Sequence, residues 1–144
     1  MRDPRDGAAD EAVAAFHRWN VDGFNQRDTE VQVANMHFPH VRLGPGNEFQ
    51  RWETADDFRA QQEGLTSRLQ AEGWDHTTSL AVQTVHVGED KVHLAIRQSR
   101  QHSDGSEYNG FDTLWVFTKL DGRWGVQFRS SFLAGAAQGA GGIE

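Results

Sequence analysis

SLAVQTVHVGEDKVHLAIRQSRQHSDGSEYNGFDTLWVFTKLDGRWGVQFRSSF, residues 79–132, is the stretch that decides the fold. It divides into four segments rich in Val, Thr and aromatic residues: SLAVQTVHV (79–87), VHLAIRQSR (92–100), FDTLWVFTK (111–119) and WGVQFRSSF (124–132). Branched and aromatic side chains suit the half-buried, pleated surface of a strand. The joints GED, SDGSE and LDGR carry turn chemistry. Strands joined this closely pair antiparallel, because a parallel return needs a crossover of a dozen residues or more. The expectation is an antiparallel meander.

Upstream the period changes. Val13, Phe16, Asn20 and Phe24 follow the spacing of one helical face, so a helix is expected from Asp10 to Phe24, with Asp10 and Glu11 in its first turn. A short helix from Thr29 to Met36 follows, with Asp28 or Thr29 as its cap. Pro39 stops helix formation, HVRL (40–43) reads as a strand, and GPGN (44–47) turns it into EFQRW (48–52) as a hairpin. TADD (54–57) is a capping pattern that opens a third helix, weakened by Gly64 and ended by Gly73. Three helices and then a long antiparallel sheet make the class α+β, with about six strands in a curved, mixed, mostly antiparallel sheet wrapped around the three N-terminal helices. Residues 1–9 are expected to form a loose leader, residues 10–133 one domain, and the Gly/Ala-rich residues 134–144 a flexible tail.

The net charge of −7, with no cluster of Lys and Arg, argues against binding to a phosphate backbone, so no nucleic-acid partner is expected. The chain has no cysteine, so disulfides and thiolate metal sites are excluded. No apolar run reaches the roughly 20 residues that span a bilayer. MRDPRDGAAD lacks the apolar stretch of a secretory signal, so a cytoplasmic protein with no membrane partner is expected. G-x-S-x-G, G-x-G-x-x-G after a strand, P-loop and H-E-x-x-H motifs are all missing. That disfavours serine nucleophiles, dinucleotide redox chemistry and nucleotide hydrolysis.

The segments FHRWNVDGFNQRD (16–28), FPHVRLGPG (38–46) and DGRWGVQFRSSF (121–132), in this order of elements, resemble the nuclear transport factor 2-like superfamily. The resemblance spans roughly residues 10–133. It implies a cystatin-like cone in which the sheet curls around the helices and encloses a pocket. It also implies a homodimer formed through the sheets. The superfamily includes ketosteroid isomerases, limonene-epoxide hydrolases, scytalone dehydratases and SnoaL-like cyclases. Aligning the last hairpin with the isomerases through Gly122 and Arg123 places their oxyanion-hole aspartate on Leu114 and their first-helix tyrosine near Asn20. Their proton-shuttling aspartate falls within residues 43–45, where no carboxylate stands. Isomerase chemistry is therefore not implied.

Taken with strand alternation, the same alignment turns Tyr108, Asp112, Leu114 and Val116 inward, together with Gln127, Arg129 and Ser131. His93, Arg97, Ser99 and Gln101 join them, and Trp115 and Phe117 face outward as the expected dimer surface. A one-residue slip would reverse each of these assignments. Arg97, Asp112 and Arg129 form either a structural ionic network or a site in which the arginines anchor an anionic or carbonyl-bearing ligand beside Asp112. His40, which shares a strand face with Arg42, is the first candidate for a catalytic acid or base. The candidate catalytic set is His40, Arg97, Asp112 and Arg129. The candidate ligand-binding set is Trp19, Asn20, Arg42, His93, Tyr108, Leu114 and Gln127.

His37 and His40 have the H-x-x-H spacing, but Pro39 breaks the helix that metal chelation would need, so no metal is expected. His76, His86 and His102 read as exposed or structural. The expected function is a cofactor-independent enzyme moving protons on a small, partly apolar molecule. The alternative is a non-catalytic ligand-binding or dimeric interaction module.

Overall fold

The computed structural model describes residues 3–133. Helix α1 runs Pro4–His17 and continues as a π-helical segment, Arg18–Phe24. It begins within the expected leader because Asp3 caps it, its carboxylate accepting from the Arg5 N–H at 2.9 Å. Helix α2 (Thr29–Ala34) is capped by Asp28. The hairpin β1 (Met36–Gly44) and β2 (Glu48–Trp52) follows, then α3 (Ala55–Gln62) and α4 (Leu65–Ala71). The expected third helix is thus two, divided at Gly64, whose φ of 76° no helix accommodates. Thr54 and Asp57 make the reciprocal cap at its start. The meander is β3 (His76–Val87), β4 (Lys91–Gln101), β5 (Glu107–Leu120) and β6 (Arg123–Ser131). The expected tail, residues 134–144, lies outside the described residues.

The six strands form one open, mixed sheet in the order β2-β1-β6-β5-β4-β3. Every neighbouring pair is antiparallel except β1 and β6, which run parallel. The α+β class and the six-stranded sheet are as expected. No helix among the described residues is long and apolar enough to cross a membrane.

The helices cover one face, which carries Val92, Leu94, Ile96, Trp115, Phe117, Trp124 and Val126, all buried. Phe16 and Trp19 meet Trp115 edge-on, with ring centroids 4.9 and 4.8 Å away, and Trp19 stacks on Phe24 at 5.7 Å. Such contacts add to the burial of large apolar area. The π-helical widening matters here. Asn25 N–H reaches Asn20 O at 2.9 Å, five residues back. Residues five apart then share a face, and both Asn20 and Asn25 donate their amides to Thr77 O, at 3.1 and 2.9 Å. Gln98 Nε2 donates to Asn20 Oδ1 at 3.1 Å, and Ser79 Oγ donates to Gln98 Oε1 at 2.6 Å. This buried chain of amides locks the first helix to β3 and β4.

Close backbone approach at the parallel joint requires Gly125. A Cβ there would lie 2.6 Å from the carbonyl carbon of Met36 and 2.8 Å from its oxygen. Gly125→Ala should therefore destabilise the chain by about 2 kcal/mol, the cost of overpacking a closed site. Urea unfolding reads this directly, and an unchanged midpoint would refute the close approach.

Candidate functional site

In the parallel register Arg42 of β1 stands beside Arg129 of β6, both directed into the cone and both buried. His40 precedes Arg42 on the same face and is also fully buried. Its Nδ1 lies 3.1 Å from Val126 O, and its Nε2 receives the Arg129 Nε–H at 3.0 Å. Since a guanidinium only donates, the tautomer is settled: Nδ1 carries the proton and donates to the carbonyl, and Nε2 offers its lone pair. Burial, reinforced by Arg129 and Arg42 and opposed by the Val126 hydrogen bond, holds the ring's pKa well below the usual histidine range. His40 is a neutral acceptor between two cations.

Aromatic faces complete the surroundings of Arg129. Its guanidinium carbon lies 5.2 Å from the Trp19 ring centroid and 5.4 Å from that of Trp115, within cation–π range. Arg42 Nη1 donates to Gln50 Oε1 at 3.1 Å. Gly44 makes room for that head group, since a Cβ there would sit 2.5 Å from Nη1. Trp52 packs 5.7 Å from the His40 ring, and Trp19 Nε1 is buried without a hydrogen-bond acceptor.

Five of the candidate residues therefore lie within the cone: Trp19, Asn20, His40, Arg42 and Arg129. Asn20 spends its amide on the network to Thr77 and Gln98. The other six do not join them. Arg97, Asp112, His93 and Leu114 lie on the opposite face of the sheet, and the Arg97 and Asp112 side chains are 43% and 73% exposed at a separation of 3.4 Å. Arg97, Asp112 and Leu114 border an outer hollow of about 340 Å³ with Ala81, Ala95 and Phe132. Gln127 is half-buried, and its Oε1 accepts from Thr118 Oγ1 at 2.9 Å. Tyr108 stands away from the cluster, its hydroxyl 3.4 Å from Glu72 Oε1 and its ring stacked 4.8 Å from that of His102.

The expected dimer surface needs the same correction. Trp115 and Phe117 are wholly buried against the helices, so the face that carries them is the core. The reason is apolar area: Val92, Leu94 and Ile96 alternate with His93, Ala95 and Arg97, and the more apolar set takes the inside. Arg129 points inward all the same, because β6 carries a bulge. The pairs are Phe117↔Val126 and Val116↔Phe128, so the strand phase shifts at Gln127 and Arg129 pairs with Trp115 instead of Leu114.

Sequence reasoning missed Gln98, Arg100 and Glu72. Arg100 is fully buried, its Nη1 3.6 Å from Glu72 Oε1. Continuing the Val92, Leu94, Ile96 alternation would have found both Gln98 and Arg100. His37 Nε2 engages Arg123 O at 2.8 Å, away from the carbonyl that His40 uses. Among the described residues no three His, Asp or Glu side chains converge on a metal position.

The family described as NTF2-like protein (DUF6841) matches residues 10–128. No curated protein matches the chain in sequence. Among solved structures, it is similar to an NTF2-like protein with a cystatin-like fold from Novosphingobium aromaticivorans: TM-score 0.67, 16% identity, 92% of this chain and 87% of that one covered. An NTF2-like protein of unknown function from Shewanella oneidensis gives TM-score 0.68 and 11% identity, covering 87% and 98%. A protein of unknown function with a cystatin-like fold from Nostoc punctiforme gives 0.65 and 11%, covering 86% and 89%. At these identities the likeness is one of fold.

The neutral His40 has a measurable consequence. Below its ordinary pKa of 6.5 the unfolded ring takes up a proton that the folded ring refuses. Stability is thus complete above that pH and falls as the pH drops, by at most about 1.4 kcal/mol per unit for one histidine. His37 and His93, also lowered by burial, add in the same direction. Urea midpoints measured from pH 6.5 down to about pH 5 should fall less steeply in His40→Gln than in the parent. Equal slopes would show that His40 is not the group held neutral.

Proposed function

Because this chain belongs to the NTF2-like family, we propose that its cone is a binding site for a small, partly apolar organic anion held by Arg42 and Arg129. The observation that carries this reading is the register pair itself: two guanidiniums side by side on one inner face, among indole rings. Like charges at paired positions repel. A carboxylate or enolate between them offsets that repulsion and accepts charge-assisted hydrogen bonds, for which the guanidinium fork is well shaped. The unused Trp19 Nε1–H supports an acceptor on the same molecule, and Trp19, Trp52 and Trp115 provide its apolar walls.

Proton transfer is the less favoured chemistry. A general base needs a lone pair within reach of the substrate, and that of His40 already accepts from Arg129. Asp112 lies across the sheet. Binding without turnover is the function proposed.

Thermal unfolding with a panel of arenecarboxylates (benzoate, phenylacetate, 1-naphthoate) and their uncharged amides tests it. A ligand present at about 100 times its dissociation constant stabilises by about 2.7 kcal/mol. At least one acid should raise the midpoint and its amide should not, and Arg129→Gln or Arg42→Gln should remove the effect. Equal responses to acid and amide, or no response to the whole panel, would defeat the assignment.

A second reading concerns the outer face. Val41, Phe128 and Val116 follow one another across it in register, Leu43 and Leu114 lie alongside, and Phe49 is 69% exposed. The adjacent Arg97 and Asp112 give the face charges that a two-fold axis can set against each other. A second copy of this chain fits it, in place of the dimer expected through Trp115 and Phe117. Light scattering should then give about twice the 16.2 kDa chain mass, and Val116→Arg should halve it. A monomeric parent protein would end this reading.

A further inference from the structure

His86 and His93 read from sequence as unconnected histidines on successive strands, yet the fold sets them face to face. The β3–β4 register runs Thr84↔Leu94 and then His86↔His93, so Val85 is an extra residue in a bulge. Without that bulge His86 would pair with Val92 and point the other way. With it, both imidazoles stand on the outer face, ring centroids 5.2 Å apart at 85°, with the two Nδ1 atoms 3.1 Å apart. His86 is exposed and sits on β3, the last strand of the sheet, so the solvent side of the pair is open.

We propose that His86 and His93 form a bidentate clip for a late first-row divalent metal ion, with Cu²⁺ bound more tightly than Ni²⁺ or Zn²⁺. Imidazole nitrogens sit about 2.0–2.1 Å from such ions, and two of them 3.1 Å apart subtend about 98° at the metal. That lies between the square-planar and tetrahedral angles. In the metal-free pair one Nδ1–H donates to the other Nδ1. On binding, the donating ring moves its proton to Nε2 and the two rings turn, so that the Nδ1 lone pairs, which face each other in the metal-free pair, converge on the ion. Among the described residues no third His, Asp or Glu joins them, so water occupies the remaining positions. The preference for Cu²⁺ follows the general affinity order for nitrogen ligands, and hard cations such as Mg²⁺ find nothing they favour.

Calorimetric titration of the full chain with Cu²⁺, and separately with Mg²⁺, in a non-coordinating buffer tests the clip. One Cu²⁺ per chain should bind with a two-nitrogen electron paramagnetic resonance signature, and Mg²⁺ should not bind. His86→Gln and His93→Gln should each weaken Cu²⁺ binding by at least about tenfold, because each leaves a lone imidazole where the parent has a chelate, and the double variant should bind more weakly than either. Circular dichroism confirms that the variants fold, which the exposed position of His86 favours. Single variants within twofold of the parent, a double variant that binds as tightly as the parent, or half an ion per chain would each overturn the proposal.

Discussion

A guanidinium buried among tryptophans is the constraint around which this fold is arranged. Arg129 has no exposed surface, and a desolvated cation costs several kcal/mol unless its surroundings answer its charge. Here the faces of Trp19 and Trp115 and the lone pair of His40 do so. Each of these partners comes from a different element: the π-helical segment, β5 and β1. Satisfying one side chain therefore requires the helix, the meander and the parallel joint to be in place together. The tautomer of His40 follows from the same contact, and its neutrality from its burial, which Arg129 reinforces.

The bulges are the second determinant. At Gln127 the phase of β6 changes, which brings Arg129 to the side of Trp115, while Trp124 and Val126 remain on that side too. At Val85 a similar shift brings His86 opposite His93. A residue inserted into one strand reverses the facing of everything beyond it, so two such insertions redistribute the polar side chains between the cone and the outer surface. The inside receives arginines and a histidine without the Arg97–Asp112 pair. The outside receives that pair, an apolar band and two histidines. The proposals of binding within and of association without both rest on this division.

The π-helical turn has an analogous role on the helical side. It places Asn20 and Asn25 on one face, and their amides, with Gln98 and Ser79, form a buried hydrogen-bonded chain. Such a chain is stabilising only when complete, because an unmet amide in a low-dielectric interior is costly. The helix is therefore held at one height against β3 and β4, and Trp19 meets Trp115 and Arg129 where it does.

From residue order alone came the class, the helices before the sheet, the four-stranded meander, the GPGN hairpin and the cap at Thr54, since propensity, turn chemistry and capping are local properties. The pairing of His40 with Arg42 on one strand face was legible for the same reason, and the resemblance carried by residues 16–28, 38–46 and 121–132 pointed to the family. The side of the sheet was misjudged at Arg97, Asp112 and Leu114, although the alternation of Val92, Leu94 and Ile96 already marked the buried face. What no local rule contains is the parallel joint of β1 to β6, the bulges at Val85 and Gln127, and the meeting of Arg42 with Arg129. Those depend on how strands distant in the chain settle against one apolar layer, where burial of area outweighs local phase.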